Sequence, residues 1–286
     1  MKRKMRQWAA FMAGLVFLGS SAMVSYQQYQ YRLGEEVYAQ AEKLAGVPDF
    51  EILTAPQTEV VILAESPIPA APNPETVPEE TQAEAEAAEA EKKVWIDPYA
   101  DALAAMDFTA LRQVNPEVLG WIFIPDTPVS YPLMQGEDNA KYLDTTWRGS
   151  RSSVGSIFVE HQNSGDLSDF NTIIYGHRTA NQSMFGSLKR YAEQTYWEKH
   201  PYIYITDDGG CKTYAVFGAY EVGVRELTYR LGFNNKDDKV NFLAFCMEQS
   251  VIETGIVPGP DDRIVTLSTC TGQGYDTRWV VQAVLI

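Results

Sequence analysis

The sequence predicts a mainly β fold: a closed eight-stranded β-barrel with flanking helices, preceded by an N-terminal transmembrane helix and a disordered linker. Three observations predict it. Eight short segments rich in Val, Ile, Tyr and Phe, bounded by Gly, Pro, Asp or Asn, follow one another between residues 118 and 286. Ahead of them, residues 48–93 hold seven of the fifteen prolines. At the start of the chain, 25 uncharged residues separate Arg6 from Arg32.

Lys2, Arg3, Lys4 and Arg6 come first, and an apolar stretch runs from Trp8 to Tyr26. Roughly 20 residues of helix span a bilayer core, and flanking basic residues stay on the cytoplasmic side. Residues 1–26 therefore read as a single-pass signal anchor, with a cytoplasmic N-terminus and everything after it extracellular. A cleaved signal peptide is the alternative, because Ser20 and Ala22 form a small-x-small site. Residues 27–47 have helical composition and read as a stalk. Residues 48–93 read as an acidic Pro/Glu/Ala-rich linker with no packed core. As a flexible coil this linker would span about 35–40 Å.

The folded domain is expected over residues 94–286. Asp97-Pro98 before YADALAAM suggests a capped helix, and TALRQVN a second one. The strand segments are VLGWIFIP, VSYPLM, GSIFVE, NTIIYG, PYIYIT, CKTYAVFGAYEVG, RIVTLSTC and TRWVVQAVLI. Helical stretches interrupt them near 183–199 and 237–249. In the second, Val240, Leu243, Ala244 and Met247 recur at helical spacing.

Charge narrows the function. The chain carries 38 acidic and 23 basic residues, a net charge of -15. Residues 1–47 contribute +3, residues 48–93 contribute -9 and residues 94–286 another -9. The domain is thus mildly acidic, and no nucleic-acid partner is expected, since phosphates call for a basic face. A hydrophobic fraction of 45% excludes a wholly disordered chain.

The three cysteines, Cys211, Cys246 and Cys270, are too few for a disulfide framework. Cys270 ends RIVTLSTC, the loop TGQGYDT follows, and Arg278 opens the last strand. If those strands pair, the guanidinium returns beside the thiol, where it would favour thiolate and stabilise an oxyanion. His177 follows NTIIYG at a strand-to-loop boundary, a place from which an imidazole can serve as general acid or base. His161 and His200 read as surface or packing residues. No histidine pair has metal-ligand spacing and no Cys-x-x-Cys occurs, so neither metal nor cofactor is expected. Cys211 and Cys246 read as inert small hydrophobes, with a bridge between them left open.

TLSTC at Thr266–Cys270, the arginine eight positions later and YGH at Tyr175–His177 together resemble the sortases, most closely class B. The resemblance extends through VLGWIFIPDTPVSYPLMQGEDNAKYL and GSIFVE, and covers roughly residues 95–286. It implies a cysteine transpeptidase on a closed barrel. Cys270 would be the nucleophile, His177 the catalytic histidine, and Arg278 the arginine that binds substrate and stabilises the oxyanion. Ser268 matches a serine that lines the class B groove. Asn139 in GEDNAKYL and Tyr229 in LTYRLGF look like further groove positions. The acidic loop of the class A calcium site is not reproduced. The implied partners are a sorting-motif peptide of an exported protein, cleaved after Thr, a peptidoglycan precursor amine, and the membrane through the N-terminal helix. The alternatives are a pilin-polymerising sortase with a lysine acceptor, a non-catalytic surface binding module, and a general cysteine peptidase, whose papain-type residue order this chain lacks.

Overall fold

A computed structural model of the chain describes residues 2–48, 50, 97–272 and 276–286, with the side chains of 2–11 and 13–15 outside that description. The linker reading over 51–93, the domain start at Val94 and the middle of the loop TGQGYDT lie outside the described residues. The chain divides into two units: Met1–Pro48 together with Ala100–Ile286, and Asp49–Tyr99.

All eight strand segments form strands: β1 Val118–Phe123, β2 Ser130–Met134, β3 Ile157–Val159, β4 Asn171–Tyr175, β5 Tyr202–Asp207, β6 Gly210–Gly223, β7 Ile264–Cys270 and β8 Thr277–Leu285. They close into a barrel in the order β1-β2-β3-β4-β7-β8-β6-β5. Only β2/β3 and β4/β7 pair in parallel. The near-continuous burial of these strands follows from their Val, Ile and aromatic content, because both faces are covered. Gly120 is sterically required: a Cβ there on β1 would fall on the Thr206 carbonyl of β5, so only glycine lets these backbones approach.

Five helices accompany the barrel: α1 Lys2–Ala45, α2 Ala100–Ala104, α3 Thr109–Val114, α4 Gln194–Lys199 and α5 Lys236–Gln249. A 3₁₀ stretch, Gly186–Ala192, leads into α4. Asn235 caps α5, its side chain accepting from Asp238 N at 2.9 Å. The buried face of α5 matches the predicted stripe only in part, at Leu243 and the half-buried Met247. Phe242, Leu243 and Cys246 are buried, whereas Val240 is 48% exposed. The helix turns its aromatic side toward Tyr220, Val280 and Val284 because Phe242 removes more apolar area from water than Val240 or Ala244.

The stalk reading needs correction. Helix α1 is continuous for 44 residues and ends at Gly46, whose φ of +64° makes it a left-handed C-terminal cap. Its last turns do not project away from the domain. Gly34, Tyr38, Ala41 and Ala45 form one buried stripe at helical spacing against the barrel. Trp147 Nε1 donates to Val37 O at 3.0 Å, and Asp107 N donates to Ala45 O at 3.3 Å. The segment 49–99 therefore leaves and re-enters the same unit. Among the described residues, no helix is long and apolar enough to cross a membrane.

Candidate active site

Strand register builds the site. β7 lies between β4 and β8. On one side Cys270 is directly opposite Arg278 in the antiparallel β7/β8 pair, where facing Cβ atoms stand about 4.5–5.5 Å apart. On the other side the parallel β4/β7 register runs from Asn171↔Ile264 to Tyr175↔Ser268. Gly176 N then donates to Ser268 O at 3.2 Å, so His177 leaves the end of β4 beside the C-terminal end of β7, where Cys270 lies two residues on from Ser268. Side chains alternate with a period of two. Tyr175, Ser268, Cys270 and Arg278 thus share one face at one end of three adjacent strands, and His177 follows just past the end of β4. Cys270 is half-exposed there and carries a free thiol.

His177 Nε2 lies 2.6 Å from the carbonyl oxygen of Leu143. A carbonyl only accepts, so Nε2 carries a hydrogen and donates it, and Nδ1 is the nitrogen left to exchange a proton. The ring rests on Gly155, where an added Cβ would lie 2.9 Å from His177 Cδ2 and 2.7 Å from Tyr142 O. Gly155 also has φ of +62°, so space and backbone both require glycine. The following residue, Arg178, donates from its guanidinium to Thr271 O, which ties the His177 loop to the turn after Cys270.

Beside the thiol, Ser268 is buried and its Oγ hydrogen-bonds Tyr229 OH at 2.8 Å. Burial pushes the Tyr229 phenol up to about 12; its bond to Ser268 and the Arg278 charge oppose that rise, and Cys270 adds to it. Tyr175 also titrates well above the ordinary range. Burial is the main cause and the neighbouring Glu160 carboxylate the next, with Arg278 again acting in the opposite sense. Both phenols therefore remain protonated at neutral pH and do not act as bases there.

Asn139 sits further along. Its Nδ2 donates to Glu160 Oε2 at 2.6 Å, and its Oδ1 accepts from His161 N at 3.0 Å. The same Glu160 oxygen accepts from Tyr175 OH at 2.9 Å, and His161 Nδ1 lies 2.7 Å from the other oxygen. A buried carboxylate thus holds Asn139 and Tyr175 in one arrangement. His200, in contrast, packs on the Tyr196 ring at 4.3 Å with Nδ1 3.0 Å from Pro125 O.

Comparison with known proteins follows from this geometry. A model of the sortase domain matches residues 122–286. The chain belongs to the sortase family. Sortase B of Staphylococcus aureus is 34% identical over 181 residues, covering 63% of this chain and 74% of the relative. Sortase B of Listeria monocytogenes is 33% identical over 180 residues, covering 62% and 72%. A solved Staphylococcus aureus sortase B-substrate complex superposes with a TM-score of 0.60 at 34% identity, covering 63% of this chain and 84% of that one. The enzyme is thus a cysteine transpeptidase of the sortase type, with class B sortases among its structural neighbours.

In this sortase the position of Tyr229 depends on a buried polar network that the sequence reading missed. Thr266 Oγ1 donates to Asn171 Oδ1 at 2.7 Å, and Gln282 Nε2 donates to Thr266 Oγ1 at 2.9 Å. Tyr220 OH donates to Gln282 Oε1 at 2.9 Å and meets Thr228 Oγ1 at 3.0 Å. Asn171 Nδ2 then donates to the carbonyls of Thr228 and Arg230 at 3.1 and 3.0 Å, clamping the residues on either side of Tyr229. Each member sits in a strand or turn that reads as apolar or plain, so the only signal was polar residues on otherwise buried strands. Asn171→Ala leaves these two carbonyls and the Thr266 hydroxyl without their partner, and is expected to cost about 1–3 kcal/mol in urea unfolding. Because Tyr229 is then no longer held, the Michaelis constant for substrate peptide should rise as well.

Proposed function

We propose that this sortase is a membrane-anchored class B enzyme that cleaves a sorting motif after threonine in exported proteins and joins the threonine to a peptidoglycan amine. The observation that carries the reading is the Cys270–Arg278 cross-strand pair, with His177 just past the end of the strand on the other side of β7. With the Cys270 thiol proton transferred to His177 Nδ1, the thiolate attacks the threonine carbonyl carbon, and Arg278 stabilises the resulting oxyanion. The intermediate collapses with cleavage of the peptide C–N bond, and His177 gives its Nδ1 proton to the departing amine. A thioester to Cys270 remains. The acceptor amine attacks this carbonyl, His177 takes up the amine proton, and the Cys270 thiolate leaves as the new amide forms.

Ser268, Tyr229 and Asn139 line the substrate groove in this reading. The class B likeness favours an Asn-Pro-x-Thr-like or related Pro-x-Thr motif. A shallow cleft lined by Arg225, Glu226, Leu227, Tyr229 and Arg230 continues the groove beyond Tyr229 and suits the residues ahead of the threonine. Membrane anchoring draws support from α1. Val16, Phe17, Leu18, Met23 and Val24 are each more than half exposed, and an apolar run exposed all round a helix suits lipid. The basic residues at 2–6 would stay in the cytoplasm and the barrel would face the wall.

The test uses the full chain in detergent micelles with a Pro-x-Thr peptide library and an oligoglycine or diaminopimelate-type amine. A covalent adduct on Cys270, with the mass of the peptide through its threonine, should appear and then resolve to the amide product. No adduct with any library member would overturn the motif. Transfer to a protein lysine in preference to both small amines would favour the pilin-polymerising reading.

A further inference from the structure

We infer that the C-terminal half of α1, and Tyr38 above all, is a positioning element for His177, so that the helix leading from the membrane segment forms part of the catalytic machinery's support. The inference rests on the reading of His177 as the proton-transfer residue. It draws on contacts that flank His177 on both sides.

On one side is the turn beneath the ring. Tyr38 is buried, and its hydroxyl donates to Gly155 O at 2.5 Å while also lying 3.2 Å from Ser156 Oγ. Gly155 is the residue against which the imidazole rests. The same turn is tied to the strand of residues that holds the other end of the ring: Ser156 N donates to Tyr142 O at 2.9 Å, and the adjacent Leu143 carbonyl accepts the Nε2 hydrogen. Burial holds the Tyr38 phenol far above its ordinary range, so it stays a donor at every working pH.

On the other side is the hairpin after His177. Residues 178 and 184 bridge, and Phe185 N returns to His177 O at 3.0 Å. Three contacts from α1 or its neighbour hold this hairpin. Tyr131 OH accepts from Met184 N at 3.0 Å, and the Tyr131 ring meets Tyr38 edge-on at 5.1 Å. Tyr31 OH accepts from Ala180 N at 3.4 Å, and Asn181 Nδ2 donates to Glu35 Oε1 at 3.3 Å. One face of α1 therefore fixes both the floor under the imidazole and the loop beyond it. Proton transfer is steep in distance, and a displacement of about 1 Å can cost about a hundredfold in rate.

Full-length Tyr38→Phe keeps the buried ring and removes only the hydroxyl. Its kcat for peptide cleavage is expected to fall about tenfold with the Michaelis constant unchanged, as loss of alignment without loss of binding would give. In ¹⁵N-histidine spectra the His177 signals should depart from the pure Nε2–H tautomer, while those of His161 and His200 stay in place. The double variant Tyr31→Phe/Glu35→Ala alters only half-buried and exposed residues, and it decides the matter if Tyr38→Phe fails to fold; a smaller loss in the same direction is expected. Wild-type kcat and unmoved His177 signals in whichever of the two is folded would overturn the inference. His177→Ala is the separate control: if it retained full turnover, the role of His177 would fall, whereas the histidine spectra would still report whether α1 positions the ring.

Discussion

Cys270→Ala is expected to abolish adduct formation and peptide cleavage, with a loss on the order of 10⁴–10⁶-fold, the range seen when a covalent nucleophile is removed. No other thiol can substitute. Cys246 is buried between α5 and the barrel, and burial pushes its thiol up to about 11. Cys211 opens β6 opposite Thr206, whereas Arg278 pairs with Val222 near the far end of that strand. The variant should keep its fold, because Cys270 is the half-exposed last residue of β7 and its removal opens no closed cavity. Mass spectrometry after incubation with peptide and amine measures the outcome. Turnover above the uncatalysed rate, with a melting temperature equal to wild type, would remove Cys270 from its role.

Arg278→Ala is expected to lower kcat about 10²–10³-fold, the usual penalty for losing an oxyanion donor. The residue lies directly across from Cys270, so in the proposed mechanism its charge would act where negative charge develops. It also influences Tyr175 and Tyr229, whose phenols its charge draws downward against burial. Arg278→Lys separates the two contributions. Lysine restores a positive charge but not the planar fork of donors, so it should recover only part of kcat. Equal activity of the lysine variant and wild type would show that charge alone suffices. Equal activity of the alanine variant and wild type would move oxyanion stabilisation to backbone N–H groups.

The strands were legible because their signal is local. VLGWIFIP, NTIIYG and RIVTLSTC each combine β-branched or aromatic residues with Gly, Pro or Asp at their ends, and each became a strand. The helices were legible in place but less so in orientation. On α5, hydrophobic spacing favoured Val240 and Ala244, while the barrel surface selected Phe242 and Cys246. The end of α1 shows the same limit. Its docking stripe, Gly34-x₃-Tyr38-x₂-Ala41-x₃-Ala45, has helical spacing but is made mostly of small residues, and such a stripe carries little hydrophobic contrast. Proline and charge in residues 48–93 describe a composition, and composition says nothing about where the two ends of a segment attach.

By itself, the sequence determined the eight strands and the sortase family, and it nominated Cys270, His177 and Arg278 as the reacting groups, because thiol, imidazole and guanidinium are properties of residue types and of short spacings. Only the tertiary structure decided how those groups meet. A parallel register between β4 and β7 pairs Tyr175 with Ser268, 93 positions apart in sequence, and so brings the ends of those strands, followed by His177 and ending in Cys270, side by side. Glu160, Asn171, Gln282 and Tyr220 became part of the site because burial obliges each polar group to find a partner, and those partners come from distant segments. The role of α1 beside the His177 loop has the same origin: contacts between residues more than a hundred positions apart, such as Tyr38 and Gly155, depend on chain closure in space, and no local pattern encodes them.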